Sequence, residues 1–99
     1  MNRLSHLLTI TAEESVEIAQ RATKSLRFGI DDVQEGHTRN NAERLIGEFN
    51  DLYASMEMLK EDGAIGEFVH RDMIEAKKLR VEQYLEYSKR RGLLDAEEA

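Results

Sequence analysis

Residues 40–63 read NNAERLIGEFNDLYASMEMLKEDG, and this stretch decides the class of fold. Leu45, Phe49, Leu52, Met56 and Leu59 alternate four- and three-residue steps. That spacing builds a seam along one side of a helix packed against other helices. Asn40 and Glu43 stand at capping-box spacing, where each side chain satisfies a backbone N–H left free at a helix start. Asp62-Gly63 supplies the stop, because glycine accepts the left-handed backbone that ends many helices. A helix from Asn40 to Asp62 is therefore expected.

Working outward, residues 5–27 form a second helical stretch. Leu4, Leu8, Ser15, Ala19, Ala22 and Leu26 recur at helical spacing and mark one face. Gly29 is its stop. Thr11 and Glu14 offer a later start, but Leu4, Leu7 and Leu8 already carry the apolar pattern, so the earlier start is preferred. Residues 28–39 contain Gly29, Asp31, Asp32, Gly36 and Thr38 and read as a loop long enough to carry function. On the other side, 62–66 is a turn and 67–71 a short helical piece. Asp72 with Glu75 then opens a third helix running to about Arg91, before Gly92, with Ile74, Lys78, Val81, Leu85 and Ser88 facing inward. Residues 1–92 form a single domain on this reading, and 93–99 a small, acidic, disordered tail.

Composition agrees. The 99 residues contain no proline and only three Phe, three Tyr and no Trp, which favours helix over a sheet of aromatic and β-branched pairs. The expected class is all-α. A formal net charge of −6 disfavours duplex nucleic acid, whose phosphates call for clustered Lys and Arg. With no cysteine, disulfides, zinc–thiolate sites and thiol nucleophiles are excluded. The N-terminal apolar stretch is short and interrupted by Glu13 and Glu14, unlike a signal peptide, and no segment has the length of a membrane span.

Chemistry concentrates in two acidic pairs. With about 100° between successive residues, Glu14 projects among Leu7, Ile10 and Ile18, and Glu17 falls one turn on, at the flank of the stripe. On the next helix Glu48 lies beside the Leu45–Leu52–Leu59 row, with Asp51 one turn further along the same flank. A carboxylate among apolar neighbours is costly without a cation or hydrogen bonds. If the two helices pack antiparallel, four carboxylates converge at one edge of the seam. Oxygen-only ligands suit Mg²⁺ or Mn²⁺, and helical bundles build metal sites in this way. The spacing alone leaves a second reading open, in which these acids belong to solvated faces and Glu13 and Glu14 complement a helix dipole.

The segment Glu13-Glu14-Ser15-Val16-Glu17, followed on the next helix by Glu48-Phe49-Asn50-Asp51, resembles the EExxE…ExxD signature of the all-α nucleoside triphosphate pyrophosphohydrolases. This is the MazG-like superfamily, related to dimeric dUTPases and dCTPases. The run from Ala22 to Asp32, Ala42-Glu43-Arg44-Leu45-Ile46 and Asn50-Asp51-Leu52 are similar to a small, often phage-borne branch of it. The likeness covers roughly residues 5–60 and only loosely the last helix. It implies an antiparallel bundle of three to four helices, completed by assembly into homodimers or homotetramers, with Ile46 and Tyr53 offering a second apolar face. It implies that Glu14, Glu17, Glu48 and Asp51 hold Mg²⁺, with Mn²⁺ an alternative. Glu13, Glu14 and Glu17 then belong to the catalytic group. The implied reaction cleaves a (d)NTP between its α- and β-phosphates, giving the monophosphate and pyrophosphate. The implied location is the cytoplasm, the host's if the protein is phage-encoded.

Three cations are candidate substrate-binding residues. Lys24 lies two turns beyond Glu17 on nearly the same face, and Arg27 follows it; a solvated helix end explains both equally. Lys78 occupies a seam position on the last helix, where phosphate contact competes with a lysine whose stem covers apolar surface. His37 sits close to the start of the second helix, a position that suits anions. Two alternatives to an enzyme stand. One is a non-catalytic helical oligomerisation or regulatory module. The other is a nucleic-acid-binding domain, supported only by Arg39, Arg44 and Lys89-Arg90-Arg91.

Overall fold

A computed structural model describes residues 1–95. Among these residues there are three helices and no strand: α1 (Arg3–Phe28), α2 (Asn41–Glu61) and α3 (Arg71–Arg90). The all-α class holds. The acidic tail expected from residue 93 falls largely on residues 96–99, outside the described residues; Leu93 itself donates its N–H to the Ser88 carbonyl at 2.9 Å. No helix among the described residues is long and apolar enough to cross a membrane.

The helix ends follow local chemistry. Asn2 caps α1 by accepting from the Ser5 N–H at 2.7 Å, so the early start is the one adopted. Thr11 lies inside the helix, donating its hydroxyl to the Leu7 carbonyl at 2.8 Å. Gly29, at φ 104°, ends α1 and donates its N–H to Ser25. The capping box at Asn40 and Glu43 forms in both directions. The one read at Asp72 and Glu75 does not: α3 begins at Arg71 after His70, without a side-chain cap. The Glu75 carboxylate is instead held by Arg71 one turn before it and by Lys78. Residues 67–70, read as part of a short helical piece, are not helical.

The chain divides into two compact units, Met1–Gly66 and Glu67–Ala99. In the first, α1 and α2 pack as an antiparallel pair. Arg3 meets Asp62 at 2.5 Å, the hydroxyls of Thr11 and Ser55 meet at 3.0 Å, and Arg21 reaches Asn41 at 3.1 Å. These ties run in opposite chain directions, which fixes the orientation. Buried side chains among the described residues are Leu7, Leu59, Arg21, Asn41 and Ser55, so the seam is thin and more polar than apolar.

That seam corrects the stripe read on the first helix. Leu4, Leu8 and Leu26 are exposed, whereas Leu7 and Arg21 are buried, with Ile10, Thr11, Glu14 and Ile18 half-buried between them and Ser25 half-buried one turn beyond. The inward face is therefore rotated by about one residue, near 100°. On α2 the reading was closer: Leu59 is buried and Leu45, Leu52 and Met56 are half-buried, but Phe49 is exposed. In the second unit α3 buries no residue. Of its expected inner face, Ile74 and Ser88 are half-buried, while Lys78, Val81 and Leu85 are exposed.

Candidate metal centre

Seven-residue steps organise the α1–α2 seam. Two helical turns advance about 10.5 Å and return to nearly the same face. Leu7, Glu14 and Arg21 therefore form one row on α1, and Asn41, Glu48 and Ser55 the facing row on α2. In this antiparallel pair Arg21 lies across from Asn41, and Glu14 across from Glu48. Two acids thus occupy the middle level of a seam whose neighbouring levels are buried. Both are half-buried.

Asp51, one turn from Glu48, completes the group. Glu14, Glu48 and Asp51 each offer a carboxylate oxygen, and these oxygens lie within 4.8 Å of one another. Oxygens bound to one Mg²⁺ at about 2.1 Å are roughly 3 to 4 Å apart, so the spread is within the reach of small side-chain rotations. The three acids come from two helices, so helix packing brings them together.

The electrostatics match the crowding. The Glu14 carboxyl is raised above its ordinary value, first by loss of water around it and then by the charges of Asp51, Glu48, Glu17 and Glu13. Removing water penalises the charged form, and like charges penalise it further. A divalent cation reverses both effects. Glu13 and Glu17 are exposed and lie outside the close group, acting on Glu14 through their charges. Of the four acids read as ligands, the structure thus brings three together, with Glu17 alongside.

Glu48 and Asp51 open onto a cavity of about 370 Å³. It is lined by Arg44, Gly47, Glu48 and Asp51 along one face of α2 and by His37, Thr38 and Arg39 from the preceding loop. That loop is pinned to the start of α2. Asn41 Nδ2 donates to the Gly29 carbonyl at 2.8 Å, and the N–H groups of Asn41 and Ala42 donate to Asp32 and Ile30. Arg44 also donates to Gln34 Oε1 at 2.9 Å. A Cβ placed on Gly47 would meet no atom within 4 Å, so the absent side chain leaves space beside the acids. A cavity lined by both acidic and basic side chains can take a metal ion together with the anion it carries.

Arg39 and Arg44, the weak support for nucleic-acid binding in the sequence, line this cavity. Their contribution depends on how the loop folds back, which spacing along the chain does not encode. Lys24 and Arg27 line a different cavity, with Arg21 and Asn41. Lys78 belongs to the second unit, exposed, with its Nζ 3.5 Å from Glu75. No protein-family model, curated protein or solved structure matches this chain.

Proposed function

We propose that this protein is a divalent-metal-dependent nucleotide pyrophosphohydrolase of the MazG-like kind, cleaving a (d)NTP to its monophosphate and pyrophosphate. The observation that carries the reading is the convergence of Glu14, Glu48 and Asp51 within 4.8 Å at the seam. The all-oxygen donor set and the raised Glu14 carboxyl fit Mg²⁺ or Mn²⁺. Glu14, Glu48 and Asp51 would hold the ion, with Glu17 joining them from the next turn of α1 and Glu13 adding charge nearby. Bound there, it would neutralise phosphate charge and make water a better nucleophile.

The chain's own residues do the rest. The helix pair holds the carboxylates in place before substrate arrives, which is the main requirement of phosphoryl chemistry. His37, Arg39 and Arg44 line the same cavity as Glu48 and Asp51 and would compensate the negative charge of the phosphates. The half-buried seam keeps water partly away from Glu14, strengthening its interaction with a cation. Exposed apolar side chains on the α1–α2 unit, Leu4, Leu8, Val16, Ile46 and Phe49 among them, support assembly into dimers or tetramers.

Pyrophosphate release from a panel of canonical and modified (d)NTPs, with Mg²⁺ or Mn²⁺, tests the reading. Turnover of at least one member is expected, falling about 100-fold or more in Asp51→Asn, as losing a charged ligand of this kind does. A second reading, a non-catalytic interaction module, draws on α3, which buries no residue and exposes Met73, Leu79 and Tyr84. Absence of turnover together with a melting temperature indifferent to millimolar Mg²⁺ would favour that module.

A further inference from the structure

Arg21 carries a buried charge with no ion-pair partner among the described residues. Only 5 % of the residue is exposed. Its Nη1 donates to Asn41 Oδ1 at 3.1 Å, and its Nε is buried with no partner. Asn41 offers only a neutral carbonyl, and its amide nitrogen is committed to Gly29. A guanidinium cannot shed its proton, and burying one without a counter-ion is unfavourable. The missing partner is an anion.

Arg21 lines a cavity of about 460 Å³ at the end of α1, together with Lys24 and Arg27. These cations lie three and six residues beyond Arg21, and neither makes an ion pair among the described residues. Phe28 and Val33 give the cavity an apolar side, with Arg27 standing 4.9 Å over the Phe28 ring. The volume is that of a small-molecule site and far exceeds the needs of a bare anion.

We propose that this cavity binds a phosphorylated small molecule of the nucleoside monophosphate class, without a metal ion. The phosphate lies against Arg21, Lys24 and Arg27, whose donors suit its oxygens. The flat ring lies against Phe28 and Val33. Asp32 and Glu35, also at the cavity, accept hydrogen bonds from sugar hydroxyls and disfavour inorganic polyphosphates, whose charge they repel. Arg21 is two turns from Glu14, about 10.5 Å along α1, so the site is separate from the carboxylate group and does not draw on the pyrophosphohydrolase reading.

The test is a titration of the full chain in EDTA, by calorimetry and by NMR of the arginine Nε–H resonances. The ligands are a set of nucleoside monophosphates, the matching nucleosides, inorganic phosphate and citrate. At least one monophosphate is expected to saturate the protein and shift the Arg21 Nε–H signal. Inorganic phosphate is expected to bind about tenfold more weakly or worse, and nucleosides and citrate not to saturate. Arg21→Gln abolishes binding; should that variant unfold, K24Q/R27Q, with changes nearer the surface, lowers affinity about tenfold. No saturable monophosphate binding, affinity unchanged in K24Q/R27Q, or citrate or a nucleoside binding as well as the monophosphate would each overturn the proposal. Because EDTA removes the metal, this failure is distinguishable from absence of pyrophosphate release.

Discussion

The α1–α2 unit and the α3 unit solve helix stability in opposite ways. The first buries a seam and fills it with charge: Arg21 is buried, and Glu14 and Glu48 are half-buried. The second buries no residue of its helix and is held locally by the Arg71–Glu75 and Lys78–Glu75 pairs, contacts worth only tenths of a kcal/mol each at a surface. Polar groups inside a thin seam lower stability unless something binds them. On the proposed reading, ligand-dependent stability is expected in the first unit.

The largest expected effect comes from removing the seam's own strain. Glu14→Gln should cut turnover about 100-fold or more yet raise the melting temperature in EDTA, because the raised Glu14 carboxyl marks a charge the fold disfavours. The sign follows from that direction. A raised folded-state value makes stability full below the ordinary glutamate value of 4.5, and stability is lost as pH rises through the elevated value. Metal-free wild type should therefore melt lower at pH 7 than near pH 5, with a smaller slope in Glu14→Gln. Added Mg²⁺ should restore the wild type and not the variant. A variant that melts lower than wild type in EDTA would remove the charge from the explanation.

A middle-sized effect should appear in hydrogen exchange. Central amides of α1 and α2 are expected to exchange about tenfold or more slowly than those of α3, since protection follows burial. Equal protection at protein concentrations where the chain is monomeric would erase the contrast between the units. The smallest effect tests the caps. Asn40→Ala removes a two-way capping box and should cost about 1 kcal/mol in denaturant unfolding. His70→Asn supplies a cap where α3 has none and should increase the helical signal without lowering stability.

How much of this could be read beforehand depended on range. The stop of α1 and the start of α2 are legible because Gly29, Asn40 and Glu43 act on neighbours within a few residues, whereas the Asn2 cap that starts α1 was not read. The box at Asp72 and Glu75 was not legible, since the same Glu75 is within reach of two cations on its own helix. Glu14, Glu48 and Asp51 were legible as a group because helical periodicity places each beside the seam. Whether Glu17 joins them turns on a modest rotation of α1, which periodicity leaves free. The stripe through Leu4, Leu8 and Leu26 misled because apolar content was taken to mark the inward face. Here the inward face of α1 holds Arg21, set against Asn41 and Ser55 on the facing side of α2, and a buried arginine resembles a surface one in sequence.

The seven-residue spacing has one more consequence. In the observed alignment Arg21 faces Asn41 and Glu14 faces Glu48. A slip of α1 by one heptad would set Arg21 against Glu48 and let the two charges cancel, a comfortable misalignment for a polar seam. The Arg3–Asp62 pair, the Thr11–Ser55 hydroxyls and the Asn41–Gly29 tie act as pins against that slip, much as a lone polar layer sets alignment in a coiled coil. The protein thus keeps its positive and negative seam charges on separate rungs, where they do not cancel one another.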